Sequence, residues 1–93
     1  MDTERTVQVR VTGRVQGVSF RIWTQAEARK LGLAGWVRNE SDGSVSALLA
    51  GREEAVAQMI ERLHVGPPGA RVADVRVDEA ESGERPSGFR ITG

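Results

Sequence analysis

Ala34-Gly35-Trp36-Val37-Arg38-Asn39-Glu40-Ser41-Asp42-Gly43-Ser44-Val45-Ser46-Ala47-Leu48-Leu49-Ala50-Gly51 is the stretch on which the fold turns. Asp42-Gly43 is the strongest short hairpin signal in the chain, because these residues tolerate the positive φ that tight hairpin turns demand. A strand from Ala34 to about Glu40 enters the turn, carrying Trp36, Val37, Arg38 and Asn39. A second strand leaves it with Val45, Ala47 and Leu49 on one face and ends at Gly51. What flanks this hairpin decides the topology.

Upstream, Ser19 is placed to N-cap a helix running from about Phe20 to Leu31. Phe20, Thr24, Ala28 and Leu31 share one face of it, and Gly32 stands where a C-terminal cap belongs. Ile22 and Trp23 lie off that stripe. Before the helix, Thr6 to Thr12 alternates, with Val7, Val9 and Val11 facing one way and Gln8 and Arg10 the other. That pattern is a half-buried strand, and Gly13-Arg14-Val15-Gln16-Gly17 turns it into a loop.

Downstream, Glu53 and Glu54 sit in the first turn of a helix, where they favour its dipole. Val56, Met59, Ile60 and Leu63 mark its apolar face, and Gly66-Pro67-Pro68-Gly69 ends it. A fourth strand carries Val72, Val75 and Val77, with Asp74 and Arg76 exposed. Residues 78–87 are charged, contain Gly83 and Pro86, and read as a loop; Phe89 and Ile91 form a short last strand. The order β-α-β-β-α-β predicts a single α+β domain over residues 1–93. It is a ferredoxin-like split βαβ sandwich, two helices on one face of an antiparallel sheet, with an extra C-terminal strand. That fold hosts many unrelated functions.

Composition narrows the chemistry. Ninety-three residues form one small core, and 39% hydrophobic with 28% charged residues suits a folded domain. Thirteen basic residues balance thirteen acidic ones, so charge points to neither nucleic acid nor a membrane surface. With no cysteine there is no thiolate nucleophile or thiolate metal site. The one histidine, His64, excludes multi-histidine metal centres and leaves few ways to build a Ser-His-Asp triad. No apolar run is long enough to span a membrane, and the polar start Met1-Asp2-Thr3-Glu4-Arg5 lacks the apolar core of a signal peptide. The expectation is a cytoplasmic protein using neither metal nor cofactor.

Two segments remain. In Gly13-Arg14-Val15-Gln16-Gly17-Val18-Ser19-Phe20-Arg21, two glycines let main-chain N–H groups turn towards one point, and the following helix adds its own unpaired N–H groups. Arg21 lies in the first helical turn, where a cation is mildly unfavourable unless an anion joins it. The same features occur in glycine-rich turns that bind nothing, and an arginine there can simply form a salt bridge, so both readings stay open on these residues alone. The loop lacks the lysine and hydroxyl of a nucleotide-binding P-loop and the thiolate of a cysteine phosphatase. In the second segment, strand alternation sets Asn39 on the side of Val37, opposite Trp36 and Arg38. Its amide suits orienting water beside a phosphate, but an asparagine before a turn also serves to turn the backbone. Thr24 reads as a buried hydroxyl bonded to the preceding turn.

Residues 13–21 resemble the first signature of the acylphosphatase family. Leu31-Gly32-Leu33-Ala34-Gly35-Trp36-Val37-Arg38-Asn39, followed by Asp42-Gly43 and Val45, resembles the second. Gly66-Pro67-Pro68 and the Phe89 tail also fit, so the likeness covers essentially the whole chain. Departures are small: Ser19 stands where glycine or a bulkier residue is frequent, and the terminal strand has no tyrosine. The resemblance implies hydrolysis of the carboxyl–phosphate bond of acyl phosphates, without metal or cofactor, releasing inorganic phosphate. It assigns phosphate binding to the loop through Val15, Gln16, Gly17, Val18, Ser19, Phe20 and Arg21. Arg21 and Asn39 become the catalytic pair, with Asn39 positioning the attacking water. The expected partner is a small-molecule acyl phosphate, with no nucleic acid and no membrane, acting on a monomer.

Two other readings compete. A non-catalytic phosphate-binding module would use the same loop without turnover, although both catalytic side chains are present. An RNA-binding domain on this plan wants stacking aromatics on the central strands and a basic sheet face. Val7, Val9, Val11, Val45 and Ala47 with zero net charge argue against it.

Overall fold

The alternation of Val7, Val9 and Val11 gives the first strand an apolar face, and the sheet is built on both its edges. The computed structural model describes residues 3–80 and 86–93. The elements run β1 Glu4–Arg14, α1 Phe20–Lys30, β2 Ala34–Asn39, β3 Val45–Arg52, α2 Glu53–Val65, β4 Arg71–Glu79 and β5 Phe89–Ile91. The strands lie in the order β4-β1-β3-β2-β5. β1 pairs antiparallel with β3 (Val7 with Leu49, Val9 with Ala47, Val11 with Val45) and with β4. β2 pairs antiparallel with β3 and parallel with β5, Gly35 lying opposite Phe89. The sandwich is therefore the expected one, and its extra strand makes the sheet mixed.

Helix packing follows from the apolar stripes. Phe20, Thr24 and Ala28 of α1 and Val56, Met59 and Leu63 of α2 are buried. They meet Val7, Val9, Val11, Val37, Val45 and Leu49, each 1% exposed or less. Full burial of one such aliphatic side chain contributes about 1.5–3 kcal/mol. Trp23, off the stripe, still turns inward and packs edge-on against Phe20 at 5.5 Å. Gly32 closes α1 as expected: with Leu31 as C-cap, Leu33 N–H donates to Ala28 O at 2.9 Å and Gly32 N–H to Arg29 O at 3.1 Å. This paired arrangement satisfies the carbonyls at the helix end.

Two boundaries and one helix cap differ from the sequence reading. β1 continues through Gly13 and Arg14, because a bulge at Thr12/Gly13 keeps it paired with β4. Gly13 adopts φ 121°, and a Cβ there would come 2.2 Å from Arg71 O, so only glycine passes. β4 runs on through Asp78 and Glu79, held by pairing with β1 and by the ion pair of Glu79 with Arg5 at 2.7 Å. The expected loop is thus shorter, and residues 81–85 of it lie outside the described residues. Ser19 does not cap α1 with its side chain: it stands in the left-handed region at φ 60°, ψ 27° and makes no capping hydrogen bond. Capping needs an extended backbone there.

Candidate active site

The bulge at Gly13 delivers the chain to the N-terminal end of α1. Val15 anchors the loop by full burial, and Gly17 carries φ 77° in open space, a conformation that favours glycine for its backbone alone. Among the described residues, none of the main-chain N–H groups from Gln16 to Arg21 donates to any acceptor. These donors and the start of α1 give the loop a positive lining without a titratable group. A cleft of about 280 Å³ opens over them, lined by Val15, Gly17, Ser19, Phe20, Arg21, Ile22 and Asn39.

Arg21 and Asn39 come from different elements and meet in this cleft. The Arg21 guanidinium donates to the main-chain oxygen of Gly93, which also accepts the Asn39 main-chain N–H at 3.2 Å. Asn39 ends β2 on the side of Val37, and its side-chain Oδ1 is buried with no hydrogen-bond partner. A buried acceptor without a partner, on a residue that lines the cleft, is suited to a water or a ligand hydrogen.

Gln16 holds the two halves together. Its side-chain Nε2 donates to Glu40 O and Ser44 O, both at 2.9 Å. That ties the loop to the β2–β3 turn directly after Asn39. The turn is itself organised by Asp42, whose Oδ1 accepts from Ser44 N–H at 2.9 Å and Ser44 Oγ at 2.6 Å. These bonds, joined by Arg10 at 3.0 Å, hold the Asp42 carboxyl below its ordinary range. Arg38, at 2.8 Å, and then Ser46 do the same for Glu40.

Of the sequence-selected loop residues, Gln16 and Val18 do not line the cleft. The Gln16 side chain turns to the hairpin, and Val18 packs against the core. Ile22 and Gly93 went unselected. Ile22 had a signal in its position off the apolar stripe, whereas Gly93 had none, since a tail contact is not legible in sequence. Thr24 is buried as expected, but its hydroxyl has no partner, so the bond to the preceding turn is absent.

The family model named Acylphosphatase matches residues 7–91. The chain belongs to the acylphosphatase family. An acylphosphatase from Rhizobium meliloti (strain 1021) is 64% identical over 88 residues, covering 95% of this chain and 93% of the relative. The crystal structure of acylphosphatase from Bacillus subtilis superposes with a TM-score of 0.92 at 41% identity, covering 98% of this chain and 100% of that one. An acylphosphatase structure from Coxiella burnetii gives 0.91 at 37% identity, with 96% and 93% covered. The acylphosphatase fold also corrects one argument. Val7, Val9 and Val11 face the helices, so they say nothing of the open sheet face, which carries Gln8, Arg10, Trp36 and Arg38. On that face Arg10 pairs with Asp42, while Arg38 pairs with Glu40 and covers the Trp36 ring at 4.6 Å, so the aromatic surface is occupied. No group of three or more His, Cys, Asp or Glu side chains gathers among the described residues. None of the helices is long and apolar enough to cross a membrane.

Proposed function

We propose that this acylphosphatase holds the phosphoryl group of its substrate in the loop of residues 13–21 and orients the attacking water with Asn39. The enzyme hydrolyses acyl phosphates. Water attacks phosphorus, the bond from phosphorus to the carboxyl oxygen breaks with its electron pair, and a carboxylate and inorganic phosphate leave. The carboxylate is weakly basic and departs without a general acid, which a site without histidine or cysteine does not offer. Main-chain N–H groups of Gln16 to Arg21 and the Arg21 guanidinium stabilise charge on the transferring group's oxygens. The Asn39 Oδ1 accepts one hydrogen of the water and aims its lone pair. The supporting observation is the convergence of unsatisfied N–H donors, Arg21 and the unpartnered Asn39 oxygen on one cleft.

Metal independence and a monomeric working unit belong to the same proposal; every residue it uses comes from one chain. A cytoplasmic location belongs to it as well. The test is hydrolysis of benzoyl phosphate with and without a chelator, beside Arg21→Ala. Chelator-insensitive turnover that falls by at least ~10²–10³ in the variant is the expected result. A folded protein that binds phosphate without turnover would make it a binding module instead.

A further inference from the structure

We infer that Ile22 selects the acyl group of the substrate, favouring apolar acyl phosphates over small ones. This rests on the function proposed above. The phosphoryl end of the substrate is accounted for by the loop donors, Arg21 and Asn39. The acyl end must leave the cleft along a wall that none of those groups forms, and Ile22 supplies one.

Ile22 is 64% exposed although it is a large apolar side chain in the first turn of a helix whose buried face it does not join. It lines the same cleft as Arg21 and Asn39. A second exposed isoleucine, Ile91, lies on the tail that runs beside α1. Gln25 of α1 donates to Phe89 O at 2.9 Å and Arg21 donates to Gly93 O, so the tail runs beside α1 between these two ties. Ile91, 36% exposed, is on that stretch of the tail, and Ile22 is on the matching stretch of the helix. Ile22, Ile91 and Val65 are the exposed large hydrophobics among the described residues, and of the three Ile22 lines the polar cleft. Scattered exposed aliphatics need no explanation, but one that forms a wall of the candidate active site does. An aryl or branched acyl group leaving the phosphoryl nest covers this apolar rim, whereas an acetyl group is too short to.

The discriminating experiment measures kcat/KM of wild type, Ile22→Thr and Ile22→Leu with benzoyl phosphate and acetyl phosphate, together with inhibition by inorganic phosphate. Threonine keeps the β-branch, and the exposed position keeps folding intact. Ile22→Thr is expected to lower kcat/KM for benzoyl phosphate about 5-fold, mostly through KM, less than the ~10-fold that one methylene gives in a closed pocket. Acetyl phosphate should change less than about 2-fold, phosphate inhibition should hold, and Ile22→Leu should restore the benzoyl preference. An unchanged benzoyl-to-acetyl ratio, whether both rates fall or neither does, overturns the role of Ile22 and leaves the proposed function standing. Failure of the wild type to hydrolyse either substrate overturns both.

Discussion

The guanidinium of Arg21 and the main-chain N–H of Asn39 donate to one oxygen, that of Gly93. A side chain from a helix start and the backbone of a strand end are thereby referred to a common point, with Thr92 N–H donating to Val37 O at 2.9 Å to keep the tail in line. A guanidinium has five N–H donors in a fixed fork, so the Gly93 bond orients Arg21 while leaving donors for phosphate.

Deleting residues 92 and 93 should therefore weaken phosphate binding without abolishing it. Ordering one long side chain is worth about 0.5–1.5 kcal/mol. The inhibition constant for inorganic phosphate is expected to rise roughly 2- to 10-fold, with a smaller loss than in Arg21→Ala. An unchanged constant would show that Arg21 finds its place unaided.

In the proposed mechanism Asn39 acts on water, through an Oδ1 that has no hydrogen-bond partner, whereas the loop and Arg21 hold phosphate. Asn39→Ala should reduce kcat by about 10²–10³, the cost of removing one preorganised polar group, with phosphate inhibition within about 2-fold. Loss of phosphate binding in that variant would move Asn39 into the anion site.

Gln16 tests the clamp. Its two bonds to Glu40 O and Ser44 O join the loop to the turn that follows Asn39. Gln16→Ala leaves two carbonyls without that donor and should cost about 1–3 kcal/mol in urea unfolding. The same variant should lower kcat more than it weakens phosphate inhibition, because the loop keeps its own donors while its distance to Asn39 relaxes. Equal effects on both would make Gln16 only a stabilising residue.

Much of this architecture is legible in sequence because period and turn chemistry act locally. Val7, Val9 and Val11 reveal a two-faced strand, Gly66-Pro67-Pro68 cannot continue a helix, and Gly32 ends α1 as a left-handed C-terminal residue. Arg21 and Asn39 were legible through their motifs. The bulge at Gly13, the left-handed Ser19 and the parallel seat of β5 were not, since each depends on a partner distant in sequence: Arg71, the loop's own closure, and Gly35 opposite Phe89. The Gly93 contact joins residues 72 apart and leaves no local trace.

Acid should loosen the site from its hairpin side first. Asp42 is held below its ordinary value foremost by the Ser44 hydroxyl and N–H, and Glu40 foremost by Arg38. The unfolded chain therefore binds these protons more readily than the folded one. Their contribution is complete above the ordinary carboxylate range and is lost as pH falls through it towards the folded values. Glu79, lowered by Arg5, adds to the same slope from the far edge of the sheet. Melting temperature followed from pH 7 downward should begin to fall below about pH 4.5. Asp42→Asn keeps an Oδ1 acceptor for Ser44 but cannot titrate, and with Glu40→Gln it should flatten that fall. Because these carboxylates organise the hairpin that Gln16 grips, exchange of the Glu40, Gly43 and Ser44 amides, which are hydrogen-bonded within it, should accelerate over the same pH interval in wild type after correction for intrinsic rates. A double variant that melts with the wild-type pH dependence would place the acid lability elsewhere.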